Sequence, residues 1–267
     1  MSDVTVNRLL GARGPEIRRV ANEAPWAWLS AGWRDLWRRP VMSLAYGLIF
    51  ALVSAAITAG LWVWGLIQYL PPLAGGFMLV GPLLAVGLYE VSRRLERGER
   101  PGLAQALFVR TASPAQLGLL GLLLMTVLLS WMYAAVVLFS IVMGPVELPP
   151  AEAFPGVLLL TADGLALLVI GTLTGAAMAV VIFAVSAISV PLLMERKLDV
   201  VTAVTGSIRA VLWNWKPMLL WAGLIAAITA CGLATLYIGL IVAFPLIGHA
   251  TWHAYRDLVV RAGEPPA

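Results

Sequence analysis

The sequence predicts an all-α membrane protein of six transmembrane helices, arranged as three Pro-bearing hairpins, each preceded by a cytoplasmic interfacial helix. Three observations predict it. The 267 residues are 61% hydrophobic and only 12% charged, whereas soluble domains carry about a quarter charged residues. Six apolar windows are each long enough to cross roughly 30 Å of hydrocarbon, which takes about 20 helical residues. All eighteen Lys and Arg residues fall on one side of those windows. The single Cys231 cannot pair within the chain, so a disulfide scaffold is excluded.

Residues 1–40 form an N-terminal segment with a Trp-rich amphipathic helix. There Trp26, Leu29, Trp33, Leu36 and Trp37 share a face while Arg34, Asp35, Arg38 and Arg39 lie elsewhere. The transmembrane domain covers 41–260, with spans expected at Val41–Ile67, Leu73–Val91, Leu117–Val142, Gly164–Leu193, Met218–Thr235 and Tyr237–Tyr255, and 261–267 is a tail. The last two spans share 38 residues, so a single re-entrant segment is the alternative there.

Basic residues precede the first span (Arg8, Arg13, Arg18, Arg19, Arg34, Arg38, Arg39) and follow the second (Arg93, Arg94, Arg97, Arg100, Arg110). They also follow the fourth (Arg196, Lys197, Arg209, Lys216) and the sixth (Arg256, Arg261), and the opposite loops hold none. Because Lys and Arg stay on the cytoplasmic side, both termini are expected there. Asp3, Glu16 and Glu23 ahead of the first span argue against a cleavable signal, and a bacterial inner membrane is the expected location. The net charge of +4 reads as orientation, with no nucleic-acid partner implied.

Each even-numbered span carries a related tripeptide, Pro82-Leu83-Leu84, Pro191-Leu192-Leu193 and Pro245-Leu246-Ile247, with Glu90, Asp199 and His253 eight residues further on. This predicts an internal repeat, with those three ionisable groups meeting at a cytoplasmic mouth or each simply resting in the interface. Pro82, Pro191 and Pro245 free the carbonyls of Met78, Ala187 and Ile241, which either line a cavity or only kink a helix. Amphipathic stretches before the odd spans, Leu103 to Val109 and Val201, Val204, Ile208, Val211, Leu212 and Trp215, complete the unit.

His249 and His253 stand four apart on one helix face and could share a metal, but no further ligand can be named beside them, so neither metal nor cofactor is expected. Trp252, Tyr255 and Arg256 suit an aromatic belt with a snorkelling cation. Gly171 and Gly175 form a small-xxx-small pair for helix packing, and Asp163 is the expected N-cap of that span. The span centres hold no charged residue, and no nucleotide or hydrolase motif is present. Ion coupling and catalysis are therefore not expected.

Pro191-Leu192-Leu193, Asp199-Val200-Val201-Thr202-Ala203, Asn214 with Pro217 and Trp221, and Pro245 with the Gly248–Asp257 run resemble a bacterial membrane family, domain of unknown function 2189, over roughly residues 20 to 260. Some of its members carry the label of cytochrome c oxidase subunits. Two His residues on one helix cannot supply a haem–copper core, so the resemblance implies at most an accessory or assembly role. The residues themselves favour a non-enzymatic protein acting through membrane lipids, anionic headgroups included, or through partner membrane proteins. A passive channel or carrier for a small or apolar solute is the alternative.

Overall fold

The computed structural model describes residues 14–144, 149–150 and 152–260. The predicted tail at 261–267, the cations Arg8, Arg13 and Arg261, and Glu147 in the outer Pro-rich loop lie outside the described residues. Within them regular structure is helical, apart from an isolated bridge between Ile17 and Val259. The helices are α1 (Ala24–Arg38), α2 (Pro40–Val63), α3 (Leu70–Leu84), α4 (Val86–Glu96), α5 (Leu103–Leu107), α6 (Pro114–Met143), α7 (Phe154–Leu160), α8 (Ala162–Ser186), α9 (Ser189–Glu195), α10 (Val200–Trp213), α11 (Trp215–Ala234) and α12 (Leu240–Leu258).

Among the described residues, five stretches are long and apolar enough to cross a membrane: Pro40–Val63, Ile67–Glu96, Pro114–Met143, Ala162–Glu195 and Trp215–Ala234. The chain is thus a multi-pass helical membrane protein. The sixth expected stretch does form a separate helix, α12, joined to α11 by a tight turn through Leu236 and Tyr237 at φ 51° and 71°. By length and composition, however, α12 is not among the candidate crossings. Its second half carries His249, His253, Arg256 and Asp257, and most of its residues are buried against protein.

Proline punctuates the chain where its missing N–H costs nothing, at the first turns of α2, α3 and α6. The internal prolines act differently from one another. Pro82 lies inside α3, and the axis breaks only after it, at Ala85. The break associated with Pro191 comes before it, at Ala187 and Ile188. Pro245 sits within an unbroken α12. Its freed Ile241 carbonyl lies against Gly47, where an added Cβ would come within 2.2 Å of the oxygen.

α12 is the hub. Small residues let its backbone approach its neighbours: Gly32 of α1 meets Ala250, Gly47 of α2 meets Ile241, and Gly248 meets Leu88 of α4. Trp28 Nε1 donates to Asp257 at 2.9 Å along the same seam. The deepest burial, including Leu88, Tyr89, Leu192, Leu193, Trp252 and Tyr255, comes from α4, α9 and the second half of α12. At that end the backbone before α1 is tied down as well. Arg18 N–H donates to Leu258 O at 2.8 Å, and Asn214 accepts from Val20 N–H and donates to Arg18 O.

The amphipathic stripes face opposite to a soluble-protein reading. On α1 the inward residues include Gly32, Asp35 and Leu36, while Trp26, Trp33 and Trp37 are exposed. On α10 the inward face is Ala203, Gly206, Ser207, Arg209 and Ala210, with Val201 and Leu212 outward. α5 repeats this with Ala106 inward and Leu103 and Leu107 outward. Leu36 and Asp35 therefore leave the faces assigned to them from periodicity. The N-cap of α8 is Thr161, whose hydroxyl accepts from Gly164 N–H at 3.0 Å; Asp163 falls in the first turn instead.

Candidate functional site

A cleft of about 1180 Å³ runs between α3, α6, α8, α11 and α12. It exceeds the roughly 300–1,000 Å³ of ordinary small-molecule pockets. Phe77, Trp131, Met178, Phe183, Ile225 and Phe244 supply much of its wall. Gly171 and Gly175 line it too; a Cβ on Gly175 would come within 3.0 Å of the Trp131 ring, so its small size lets α6 and α8 close on one side of the opening, whereas one on Gly171 would make only an ordinary contact with Leu138. Pro82 is also on the wall.

The cleft holds no charged side chain, and several of its polar groups are bonded within the protein. Trp131 Nε1 donates to Pro72 O, Ser186 Oγ to Ile182 O and Thr251 Oγ1 to Ile247 O, each at 2.8 Å. Tyr89 bonds Thr251 at the deep end, where Trp221 is also buried. Gln68 Nε2, at the other end, is buried without a partner, and the Thr172 and Thr229 hydroxyls on the wall have none among the described residues. The cleft is therefore matched to hydrocarbon, since a ligand charge placed there would meet no counter-charge.

Beyond Thr251 on α12 lies a sealed polar chain. His249 is fully buried, with Ser43 Oγ 3.0 Å from Nε2 and Ser92 Oγ 2.8 Å from Nδ1. Ser92 also stands near the buried Asp35 carboxylate, which receives His253 Nε2 at 2.7 Å. Serine hydroxyls and the imidazole can each donate or accept, so the direction of the two serine bonds to His249 follows its tautomer. Burial opposes the charge on Asp35, but the hydrogen bond and charge of His253, followed by the nearby Ser92 hydroxyl, outweigh it and hold the carboxyl below its ordinary range. A serine bonded to a histidine has the outline of a hydrolytic dyad. Ser43 and His249 are both 0% exposed, however, so no substrate reaches them.

Glu90, Asp199 and His253 are not brought together. Glu90 is buried between Arg93 and Arg94, the latter at 2.6 Å. Asp199 is the exposed N-cap of α10, accepting from Thr202 N–H at 2.8 Å and Thr202 Oγ1 at 2.6 Å, and these bonds hold its carboxyl below the usual range. His253 belongs to Asp35. Convergence at this end is achieved by other groups. Arg256 bridges Glu96 of α4 at 2.9 Å and Glu195 of α9 at 2.9 Å, with its guanidinium 4.9 Å from the Trp252 ring centroid. Tyr255 donates to Glu195 at 2.5 Å.

His249 and His253 share a helix face, yet each ring is turned to its own partners, and no group of three or more metal-ligating side chains occurs among the described residues. Sequence reasoning missed Asp35, Ser43, Ser92, Glu96 and Glu195. The available signal was Asp35 itself, spaced with Trp28 and Gly32 on the inward face of α1.

No curated protein and no solved structure matches the chain. A family model described as predicted integral membrane protein (DUF2189) matches residues 69–195. The match is narrower than the resemblance read from the sequence: Pro191-Leu192-Leu193 lies inside it, whereas Asp199, Asn214 and the Gly248–Asp257 run lie beyond it. Over residues 69–195, from the start of α3 to the end of α9, the chain is thus similar to this family of predicted integral membrane proteins.

Proposed function

We propose that the protein is a non-enzymatic, multi-pass protein of the bacterial inner membrane that acts by taking an apolar chain, such as a lipid acyl or isoprenoid tail, into the cleft. The observation that carries this reading is the largely apolar wall, on which no charged side chain stands. In this reading α12 is the sixth crossing, and the basic end, with both termini, faces the cytoplasm. α1, α5 and α10 lie in the headgroup layer with their exposed Trp, Leu and Val side chains toward lipid. Their inward small faces support three units of interfacial helix, crossing and Pro-bearing crossing.

Passage of an apolar solute is the second reading, and the same wall serves it. The buried Tyr89, Trp221 and Trp252 beyond the deep end favour retention of a chain over flow through the protein. An oxidase accessory role draws no support from His249, whose two ring nitrogens are both engaged by serines.

The test fills the cleft. Ala179→Phe and Ala226→Phe replace methyl groups on opposite walls. Lipid that co-purifies in mild detergent, measured by mass spectrometry, and binding of the fluorescent fatty acid cis-parinaric acid should both fall severalfold. Undiminished binding in variants that keep the native unfolding temperature refutes the reading.

A further inference from the structure

A second recess, of about 590 Å³, opens where the end of α1 meets the turn after α4, lined by Arg38, Arg39, Leu95, Gly98, Glu99 and Arg100. Its charge comes from two places in the sequence. Arg38-Arg39 closes α1 directly before Pro40, and Arg100 follows the left-handed turn at Gly98, φ 74°. The neighbouring carboxylates are already engaged. Glu99 accepts from Arg94 at 2.9 Å, and Asp35 places one oxygen on His253 at 2.7 Å and the other 3.3 Å from Arg38.

The Arg38 side chain is nonetheless 61% exposed. Arg39 and Arg100 form no ion pair with any carboxylate among the described residues. Three guanidinium groups thus surround one neutralised carboxylate. A guanidinium fork matches two oxygens of a phosphate at once, which an ammonium does not. Beside the recess Trp33 and Trp37 pack edge to face with centroids 5.6 Å apart, both exposed, and Val41 continues the apolar surface at 84% exposure.

We propose that this recess binds a phosphate-bearing anion, either the headgroup phosphate of an anionic phospholipid or a soluble phosphate monoester. In the lipid case the acyl chains run along Trp37 and Val41. The anion chemistry is independent of the cleft; only the lipid source rests on the proposed placement of α1 in the headgroup layer.

The experiment uses the full chain in detergent, with dioctanoyl phosphatidylglycerol and glycerol 1-phosphate as probes, in native mass spectrometry and calorimetric titration. Arg38→Gln, Arg39→Gln, Arg100→Gln and the triple variant are compared with Lys197→Gln, an exposed cation elsewhere. Phosphatidylglycerol affinity should fall roughly fivefold per arginine, the factor usual for one basic side chain at an anionic surface, with Lys197→Gln unchanged. Weak binding of glycerol 1-phosphate then assigns the site to lipid, and equal binding with the same arginine dependence assigns it to a soluble phosphate. Should the triple Gln variant lose its fold, the triple Lys variant, which keeps charge without the fork, should show a smaller loss than expected for three Gln changes. Phosphatidylglycerol binding that survives in a folded triple variant, or that falls equally in Lys197→Gln, overturns the proposal.

Discussion

Replacing Asp35 with Leu should be the most damaging single polar-to-apolar change on α1. The carboxylate is 2% exposed, yet it accepts from His253, stands near Ser92 and borders Arg38. Bonds to a charged acceptor are worth about 1.5–3 kcal/mol each, and truncating one partner of a buried pair costs about 3–5 kcal/mol. The exposed Arg38 adds little, because solvent screens it. The His253 side chain is 23% exposed, which favours the lower bound, about 3 kcal/mol for the leucine variant. Asp35→Asn keeps an acceptor and should cost about 1–2 kcal/mol. For a chain of this size 1 kcal/mol moves the unfolding temperature by roughly 2–4 °C, so the two variants should separate clearly in a detergent melt. A double cycle of Asp35→Asn with His253→Gln should show coupling of at least about 1 kcal/mol. The pH dependence has a defined sign. The folded carboxyl lies below its ordinary 3.8, so this contribution is full above that value and is lost only as pH falls through the lower folded one. Additive single and double effects would refute the network.

Asp199→Ala removes the α10 cap from Thr202 N–H and should cost about 1 kcal/mol, seen as a lower melting temperature without loss of lipid binding. Leu236→Gly relieves a left-handed residue that is 82% exposed. A left-handed backbone costs about 1–2 kcal/mol, and glycine returns about 0.5–1 of that in entropy. The variant should therefore melt roughly 2 °C higher. Gly47→Val sets a side chain on the Ile241 carbonyl and should abolish recovery of folded protein on size exclusion, whereas Gly223→Ala, facing open space, should not.

Helix positions were legible because a bilayer imposes length and hydropathy on each crossing, and Pro40 and Pro114 mark their starts in the sequence itself. The apolar faces of α1 and α10 read as interfacial in the sequence, but which small residues pack on the protein was not legible. In water an apolar stripe turns inward, but lipid tails compete equally for Leu and Trp, so close packing selects small residues for the protein side. That is why Gly32, Gly206 and Ala203 are inward and Trp33 and Val201 outward. Asp199 and Thr202 already spelled an N-cap three residues apart, a local pattern that the search for a threefold mouth set aside. The partners of His249 come from Ser43 and Ser92, 206 and 157 residues away, and no local pattern identifies such pairings.

The two ends of the molecule are built on opposite principles, and the cleft depends on the contrast. At the basic end, polar contacts fix the ends of α1, α4, α9, α10 and α12. Arg256 ties α4 and α9 to α12, Asp35 ties α1 to α12, and Asn214 clips the backbone before α1 to the end of α10. Toward the other end α6 is open, and only 11% of its most apolar window is buried inside the protein. Such a helix gains little from its neighbours in lipid, so they part around a space unless something fills it. The fixed end keeps that parting from unravelling the fold. Polar satisfaction is thus concentrated away from the cleft, where a stray polar group would repel a hydrocarbon chain, and the sealed serine–histidine chain serves as anchorage for an apolar site.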